Sequence, residues 1–445
     1  NNQGKTYLQI VRSYRDNGRS RHEILFTLGR LDALQATGEL DGLISAMSRF
    51  AAKQNLIDLS KDVSVDQVYH LGAAHVVSRM LDRLGLRRVL ESIAKQHPKL
   101  DFPWDRLIEG MIMGRFVEPC SKKRLHDHWW NRIYPDLLSL KNPPLQWFYR
   151  ALDILYDHKE DIERALFDRN GERDLFNQKL DVVFYDTTTL RFESTATEEG
   201  ALRQFGYSKE RRSDCTQVVL GLLIDADGVP VGYHLFPGNT YDGQSLPEII
   251  GNLKNKYSIG RVILVADRGM LSNDNMTSLR EADMEFIIGM RLWSVAQKHH
   301  KEFYDLEGYR SLSKSLKIRE IPWKGDRLIL TWSQDRAQRD AKAREDLLEK
   351  IRQKLGRDPD AKRFVHSAYR QYLEGLDEGK PRLSSKAIAR AEKRDGFFGV
   401  LTNVAGDKIG ASQVISNYKG LWKIEDAFGE IKGPLETRPM FHWTD

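Results

Sequence analysis

The sequence predicts an α/β protein, in which a mixed sheet flanked by helices follows a mostly helical region and a small β-hairpin. Two patterns carry that prediction. Five dense apolar runs bounded by turn residues lie between positions 181 and 289, as is typical of strands buried in a sheet. Before them, from about residue 40 to residue 177, apolar residues recur at three- and four-residue steps, as is typical of helices. With 445 residues, the chain has room for two or three domains.

The first residues predict the β-hairpin. Two apolar, β-branched runs at residues 5–14 and 21–28 flank Asp16, Asn17 and Gly18. An Asn-Gly pair between such runs is a strong signal for a tight turn between antiparallel strands.

The predicted strands follow in the order β-β-β-α-β-(α)-β. They are residues 181–185, 217–224, 229–236, 261–266 and 285–289, with a helix at 244–257. After Met290 the pattern breaks into charged residues, and it resumes with a strand at 396–402 and a last helix at 411–432. We therefore expect an insertion between the two parts of the sheet.

The chain has a mild basic bias, with a net charge of +6 and a pI near 9.0. Residues 331–394 alone hold 17 Lys and Arg against 11 Asp and Glu, an excess equal to that of the whole chain. Such a segment is either a solvated, salt-bridged helical hairpin or a surface that faces a polyanion. Because no run approaches the ~18 to 20 apolar residues of a membrane span, and only Cys120 and Cys215 are present, we expect a cytoplasmic protein.

Two aspartates directly follow predicted strands. The run at 181–185 leads into Asp186, and the run at 261–266 leads into Asp267. An acid at the end of a buried strand lies at the rim of the sheet, where loops gather ligands. Taken alone, either Asp is more often a turn or helix-cap residue.

A third acid comes from the last predicted helix. Tyr418, Glu425 and Lys432 are seven residues apart, so on one helix they would project from one face. Glu425 would then face the sheet rim, although a Glu on an amphipathic helix is more often a solvent charge. Three carboxylates suit two Mg²⁺ or Mn²⁺ ions, which take oxygen ligands and promote in-line phosphodiester displacement.

Several motifs in a fixed order resemble the DDE transposases of bacterial insertion sequences, in the branch marked by Tyr-x2-Arg-x3-Glu-x6-Lys. The motifs are Phe184-Tyr-Asp186-Thr-Thr-Thr189, Gly206-Tyr-Ser-Lys209, Pro237-Gly-Asn-Thr240, Ala266-Asp267-Arg-Gly269-Met270 and Tyr418-x6-Glu425-x6-Lys432. A weaker likeness lies in the hairpin, at residues 4–7 and 27–31. Several motifs in the correct order are more specific than any single short pattern.

The resemblance implies an RNase H-like catalytic core that is interrupted before its last acid. Accordingly, we expect residues 1–38 to form the hairpin element and 39–177 a helical, DNA-binding region. The core would comprise 178–290 and 395–445, with the insertion at 291–394. The spacing agrees, because 81 positions separate Asp186 from Asp267 whereas 158 separate Asp267 from Glu425.

The resemblance also implies the chemistry and the residues that perform it. Asp186, Asp267 and Glu425 would be the catalytic and metal-binding triad for two Mg²⁺ or Mn²⁺ ions. Tyr418 and Lys432 would contact DNA phosphate. Further candidates for DNA contact are Lys209, Arg211, Arg212 and Arg268. The implied reaction is hydrolysis at the ends of an element, followed by attack of the freed 3'-OH on target double-stranded DNA by a homodimer.

Two departures from the family pattern keep other functions open. Leu421 stands where the pattern has Arg, and Lys419 or Lys423 would have to replace that cation. Transposases of this branch also usually continue beyond the stretch at 438–443, so we expect further C-terminal helices in a complete copy. The alternatives are a structure-specific nuclease of the same fold and a transposase-derived DNA-binding protein without catalysis.

Overall fold

The structure is a computed structural model. It describes residues 4–50, 68–69, 71–133, 135–171, 181–195, 197, 201–207, 212–256, 262–295, 297–357 and 367–440. The chain divides into two compact units, Asn1–Tyr69 and His70–Asp445.

The first unit contains the predicted hairpin. Strands β1 (Tyr7–Asp16) and β2 (Arg19–Arg30) pair in antiparallel register. The two turn residues between them, Asn17 and Gly18, have φ of 46° and 79°. Left-handed backbone at both positions is what a type I′ turn requires, so the hairpin is confirmed. Two helices follow, α1 (Leu31–Ala36) and α2 (Glu39–Ser48).

The second unit begins with a layer of helices. Their bounds are α3 (Gly72–Leu84), α4 (Leu86–Gln96), α5 (Trp104–Val117), α6 (Lys122–Arg124), α7 (Pro135–Leu138), α8 (Leu145–Asp157) and α9 (Lys159–Gly171). A π-helix at Leu125–Trp129 turns Trp129 and the following Trp130 into the apolar core of this layer. At its centre Glu109 is fully buried and accepts a hydrogen bond from Arg87. Burial raises the pKa of Glu109 despite the nearby arginines.

A large mixed sheet forms the rest of the second unit. Its strands are β3 (Asp181–Arg191), β4 (Gln217–Ile224), β5 (Pro230–Pro237), β6 (Val262–Ala266), β7 (Glu285–Met290), β8 (Arg310–Ser311), β9 (Leu316–Trp323), β10 (Asp326–Ser333) and β13 (Phe397–Thr402). Across the described residues the order is β5-β4-β3-β6-β7-β13-β10-β9-β8. β4 pairs antiparallel with β3 and with β5, whereas β6 runs parallel to β3 and to β7. This is the RNase H-like arrangement, and it confirms the predicted fold class.

Helices cover both faces of the sheet. The helices of this part of the chain are α10 (Leu246–Lys256), α11 (Asn273–Glu281), α12 (His300–Tyr304), α13 (Gln334–Arg357), α14 (Ser367–Arg370), α15 (Ser385–Glu392), α16 (Ala411–Lys419) and α17 (Trp422–Lys432). Of these, α14 and α15 pack with α13 in a separate apolar cluster. Apolar residues of α10 and α11 pack in one core, and those of α16 and α17 pack in the other. A separate pair of short strands, β11 (Leu373–Glu374) and β12 (Arg382–Leu383), follows α14. No helix in the described part of the chain is long and apolar enough to cross a membrane.

The segment that interrupts the core extends the same sheet. β9 and β10 form a hairpin whose turn residues Lys324 and Gly325 have φ of 51° and 91°, and β10 pairs along its length with β13. We did not predict these strands. In β9 the apolar residues are interspersed with Lys317, Arg319 and Glu320, so its sequence resembles the charged, non-strand part of the inserted segment. The consequence is that the charged helix α13 starts directly from the sheet.

The outer edge of the sheet is covered by α9. The Glu163 carboxylate accepts a hydrogen bond from the backbone N–H of Tyr233 in β5 (3.1 Å), and Lys159 Nζ donates to the Tyr233 carbonyl (2.9 Å). Edge strands expose unpaired backbone groups that recruit other chains. These side chains satisfy that backbone and fix the helical layer against the core.

Candidate active site

Asp186 and Asp267 lie side by side on neighbouring strands. The parallel ladder between β3 and β6 ends with the pair Tyr185–Ala266, and the two aspartates are the residues that follow this pair in the sequence. Adjacent strands are about 4.8 Å apart, so the two side chains start from neighbouring positions. Val182 and Phe184, which alternate with Tyr185, pack in the core that contains α16 and α17. Asp186 therefore points to the face that those helices cover.

Our prediction that Asp186 ends its strand was wrong. β3 continues to Arg191, and Asp186 pairs with Leu222 of β4. The physical reason is that Thr187, Thr188 and Thr189 are β-branched and keep the ladder with β4 after β6 has ended. Asp186 thus lies at the point where β3 loses its parallel neighbour, and this leaves space beside it for a ligand. Asp267, by contrast, does follow directly after its strand.

The last helix is also divided, contrary to our prediction. α16 ends at Lys419, α17 begins at Trp422, and Gly420 and Leu421 between them form i to i+3 hydrogen bonds. Tyr418 therefore stands on α16, whereas Glu425 and Lys432 stand on α17. A Cβ on Gly420 would overlap the ring of Phe184, so glycine lets this turn approach β3 closely. That close approach sets where Glu425 lies.

All three predicted acids line one cleft of about 640 Å³. Asp186 is half-buried, and Asp267 and Glu425 are exposed. The residues that line the cleft are Asp186, Asp267, Arg268, Leu316, Thr331, Ser333, Asp335, Arg336, Arg339, Phe398, Ile415, Tyr418, Lys419, Leu421, Trp422 and Glu425. Strands of the core, the inserted segment and the last two helices thus meet at this one place.

Tyr418 holds Asp267 in position. Its hydroxyl donates a hydrogen bond of 2.9 Å to Asp267 Oδ1, and its ring packs against Phe398. Burial raises the pKa of Tyr418 far above its usual range, and the charge of Asp267 raises it further. The hydroxyl therefore stays a donor at neutral pH. We predicted from the resemblance that Tyr418 contacts DNA phosphate. In this structure its hydroxyl donates its hydrogen bond to Asp267.

Removing that hydroxyl is expected to slow any reaction that depends on Asp267. A hydrogen bond to a charged group is worth about 1.5–3 kcal/mol, so Tyr418→Phe should reduce the rate of the DNA end joining that the resemblance implies by about 10- to 150-fold. The melting temperature should change little, because the ring remains. Gly289→Ala should have a similar effect, since its Cβ would overlap the Tyr418 hydroxyl.

The matched control is Tyr241→Phe, at an exposed tyrosine outside the cleft. Single-turnover joining rates of the three variants are compared with the wild type. A Tyr418→Phe protein that joins ends at the wild-type rate would show that Asp267 needs no support from this hydroxyl.

The donor set suits a hard divalent cation, because all three candidate ligands are carboxylates. The three carboxylates do not, however, lie close together in this structure. Within the described residues, no group of three His, Cys, Asp or Glu side chains lies close enough together to hold a metal ion. Asp186 and Asp267 are adjacent in register, whereas Glu425 stands on a separate helix. Because its side chain is exposed, Glu425 is free to change rotamer.

The other predicted DNA-binding residues have different environments. Arg268 lines the cleft beside Asp267, whereas Lys432 and Arg212 do not line it. Arg212 donates two hydrogen bonds to Asp214, and they lower the pKa of Asp214 to about 2. Its charge is thus compensated locally. Lys209 and Arg211 lie outside the described residues.

Sequence reasoning missed three exposed or half-exposed residues of the cleft. Arg336 and Arg339 come from α13, and Trp422 opens α17 and is 56% exposed. The signal for the two arginines was the cationic excess of residues 331–394, which we could not assign to a surface. Trp422 had no signal beyond its position three residues before Glu425.

Two family models match most of the chain. Residues 177–439 match the family model described as transposase DDE domain, and residues 1–59 match the one described as IS1634 family transposase, N-terminal domain. None of the curated proteins matches the chain.

Solved structures with some similarity include three transposase complexes. The piggyBac transposase in a synaptic complex with hairpin DNA is 10% identical, with a TM-score of 0.33, and the match covers 75% of this chain and 62% of that one. A Mos1 transposase paired-end complex is 14% identical (TM-score 0.18; 40% and 57% covered). A pre-cleavage Mos1 transpososome is 12% identical (TM-score 0.18; 57% and 75% covered). The chain thus spans less than two thirds of the piggyBac chain.

Proposed function

Because this chain belongs to the DDE transposase family, we propose that it cuts DNA at the ends of a mobile element and joins the freed 3'-OH ends to target DNA. One observation carries the proposal: Asp186, Asp267 and Glu425, which are far apart in sequence, line the same cleft. A cleft that gathers acids and cations suits a phosphodiester substrate, since acids hold metal ions and cations bind the backbone.

The roles of the residues follow from their positions. Asp186, Asp267 and Glu425 would hold two Mg²⁺ or Mn²⁺ ions, which supply activation of the attacking oxygen and charge neutralisation at the leaving oxygen. Tyr418 orients the Asp267 carboxylate through its hydrogen bond. Arg268 and Lys419, on the wall of the cleft, attract the DNA backbone. The same site would serve both cutting and joining, because both steps displace a phosphodiester oxygen.

The proposed partners are double-stranded DNA, as element ends and as target, and a second copy of this chain. Two element ends have to be joined to one target site, and a homodimer supplies one cleft for each end. The helical layer would add DNA contacts outside the cleft.

The test is joining by purified protein. Labelled duplexes from the genomic flanks of the gene, cut to expose a 3'-OH, are incubated with supercoiled plasmid in Mg²⁺. We expect label to enter the plasmid, and none to enter with EDTA or with a 3'-dideoxy end. Cleavage of uncut ends without joining of pre-cut ends would contradict the proposal and indicate a structure-specific nuclease.

A second candidate is a DNA-binding protein that has lost catalysis. Two observations favour it: Leu421 lies in the cleft where the family pattern has Arg, and no metal-holding group of three side chains occurs among the described residues. It predicts salt-sensitive DNA binding and no metal-dependent product. A calorimetric titration with Mn²⁺ separates the two, because binding that is lost in Asp186→Asn supports the catalytic protein.

A further inference from the structure

Helix α13 of the interrupting segment brings two arginines into the cleft. Arg336 and Arg339 lie in its first two turns and line the cleft with Asp186 and Glu425. Their spacing of three residues puts them on neighbouring positions of one helix face. α13 follows β10, and β10 is hydrogen-bonded to β13 of the core. The two arginines are therefore anchored to the same sheet that positions Asp186 and Asp267.

Arg336 is fixed by packing more than by charge. Its guanidinium carbon lies 4.7 Å from the centre of the Phe398 ring. Its Nε is 3.7 Å from Asp340 Oδ2, which is beyond a hydrogen bond, and that oxygen accepts from the Gly396 N–H at 3.0 Å. In the described part of the chain, the buried Nε has no hydrogen-bond partner. The guanidinium is thus oriented while part of its donor capacity remains unused.

Arg339 is exposed and makes no ion pair or hydrogen bond with the described residues. Without these two arginines the cleft would have four acids, Asp186, Asp267, Asp335 and Glu425, against only two cations, Arg268 and Lys419. Such a wall would repel a DNA backbone when no metal is bound. With the two arginines, the charges in the cleft balance.

We propose that Arg336 and Arg339 form a phosphate-binding site for the DNA strand that enters the cleft, and that they replace the cation missing at Leu421. The inference rests on the proposed function, because it assigns two further residues to that same site. Arginine suits this role, since its planar guanidinium presents paired N–H donors to two phosphate oxygens. The interrupting segment thereby becomes part of the DNA-binding surface of the core.

The experiment measures how salt affects DNA binding by the full chain. A fluorescein-labelled duplex of random sequence is titrated at several KCl concentrations without metal, and log K is plotted against log[KCl]. Each phosphate contact contributes about 0.9 to the slope, so Arg336→Met with Arg339→Met should lower it by about 1.8. Methionine keeps an apolar stem over Phe398 and removes the charge. Arg336→Lys should keep the slope but weaken binding.

The matched control is Lys350→Ala. Lys350 is exposed on the same helix, about 21 Å further along at about 1.5 Å per residue, and does not line the cleft. Its slope should equal that of the wild type. If the double variant fails to fold, Arg339→Met alone gives the answer, because this exposed side chain has no partner among the described residues; a slope lowered by about 0.9 would support the site.

Joining of pre-cut ends separates this inference from the proposed function. We expect the double variant to join ends at least 10-fold more slowly, while Lys350→Ala joins them at the wild-type rate. A double variant with unchanged slope and unchanged joining would overturn the inference and leave the proposed function standing. A wild-type protein that binds no DNA would overturn both.

Discussion

Replacing Asp186 by Asn is expected to lower the rate of DNA end joining at least ~1000-fold, equivalent to about 4 kcal/mol of transition-state stabilisation. Asp267→Asn and Glu425→Gln should behave alike. The amide keeps the size of the side chain but removes the anionic oxygen that a hard divalent cation prefers. The measurement is single-turnover joining of pre-cut ends in Mg²⁺, with DNA affinity measured alongside. Affinity should be retained, because removing an acid from the cleft does not weaken its attraction for phosphate.

The matched control is Asp426→Asn. Asp426 is the neighbour of Glu425 on α17 and is exposed, but it does not line the cleft. It should join ends at the wild-type rate. If Glu425→Gln were as active as Asp426→Asn, Glu425 would not belong to the triad, and the acid on α17 would have to be sought elsewhere.

Replacing Gly238 by Ala is expected to reduce the free energy of unfolding by about 3 kcal/mol, the upper part of the usual cost of overpacking. A Cβ on Gly238 would overlap the backbone carbonyls of Gln217 and Gln204. It would also disturb the hydrogen bond of 2.8 Å from Gln217 Nε2 to the Gly238 carbonyl. Gly206 packs against Gly238 in turn, so the glycines of two family motifs meet here. The overlapping atoms belong to the backbone, which cannot move aside as easily as the end of a flexible side chain.

This effect is measured by urea denaturation of the full chain, and unfolding is monitored by far-UV circular dichroism. The control is Gly251→Ala in α10, where a Cβ has nothing within 4 Å. Alanine favours a helix over glycine by about 1 kcal/mol, so the control should be neutral or slightly stabilising. Equal stability of Gly238→Ala and the wild type would show that β4 and β5 can separate locally without cost.

The buried strands were the most predictable part of the fold. β4 was predicted at residues 217–224, the bounds that the structure has, because every residue of this strand is buried and the apolar run is continuous. β6 and β7 were predictable for the same reason. β9 was not, because one side of that strand is exposed and carries charges, which mask its apolar alternation.

The three candidate acids of the site could be predicted from the sequence, but the structure around them could not. Asp186 was taken as a strand end because an acid follows an apolar run, although pairing of β3 with β4 continues past it. The break between α16 and α17 at Gly420 was not predicted, because one 3₁₀-type turn barely changes the helical spacing of the apolar residues. Arg336 and Arg339 escaped because their place depends on pairing between β10 and β13, which local sequence does not reveal. Tertiary pairing, rather than propensity, decided each of these cases.

The strand order also bears on how the chain is made. β7 pairs on one side with β6, but its other partner is β13, as in the pair Met290–Gly399. A ribosome adds about 5–20 residues per second, so that side of β7 waits for about 5–20 seconds before its partner emerges. An apolar strand with an open edge is prone to aggregate. Slower expression at low temperature and chaperone supply should therefore raise the soluble yield, and the proposed third acid, Glu425, joins Asp186 and Asp267 only after the whole interrupting segment has been synthesised.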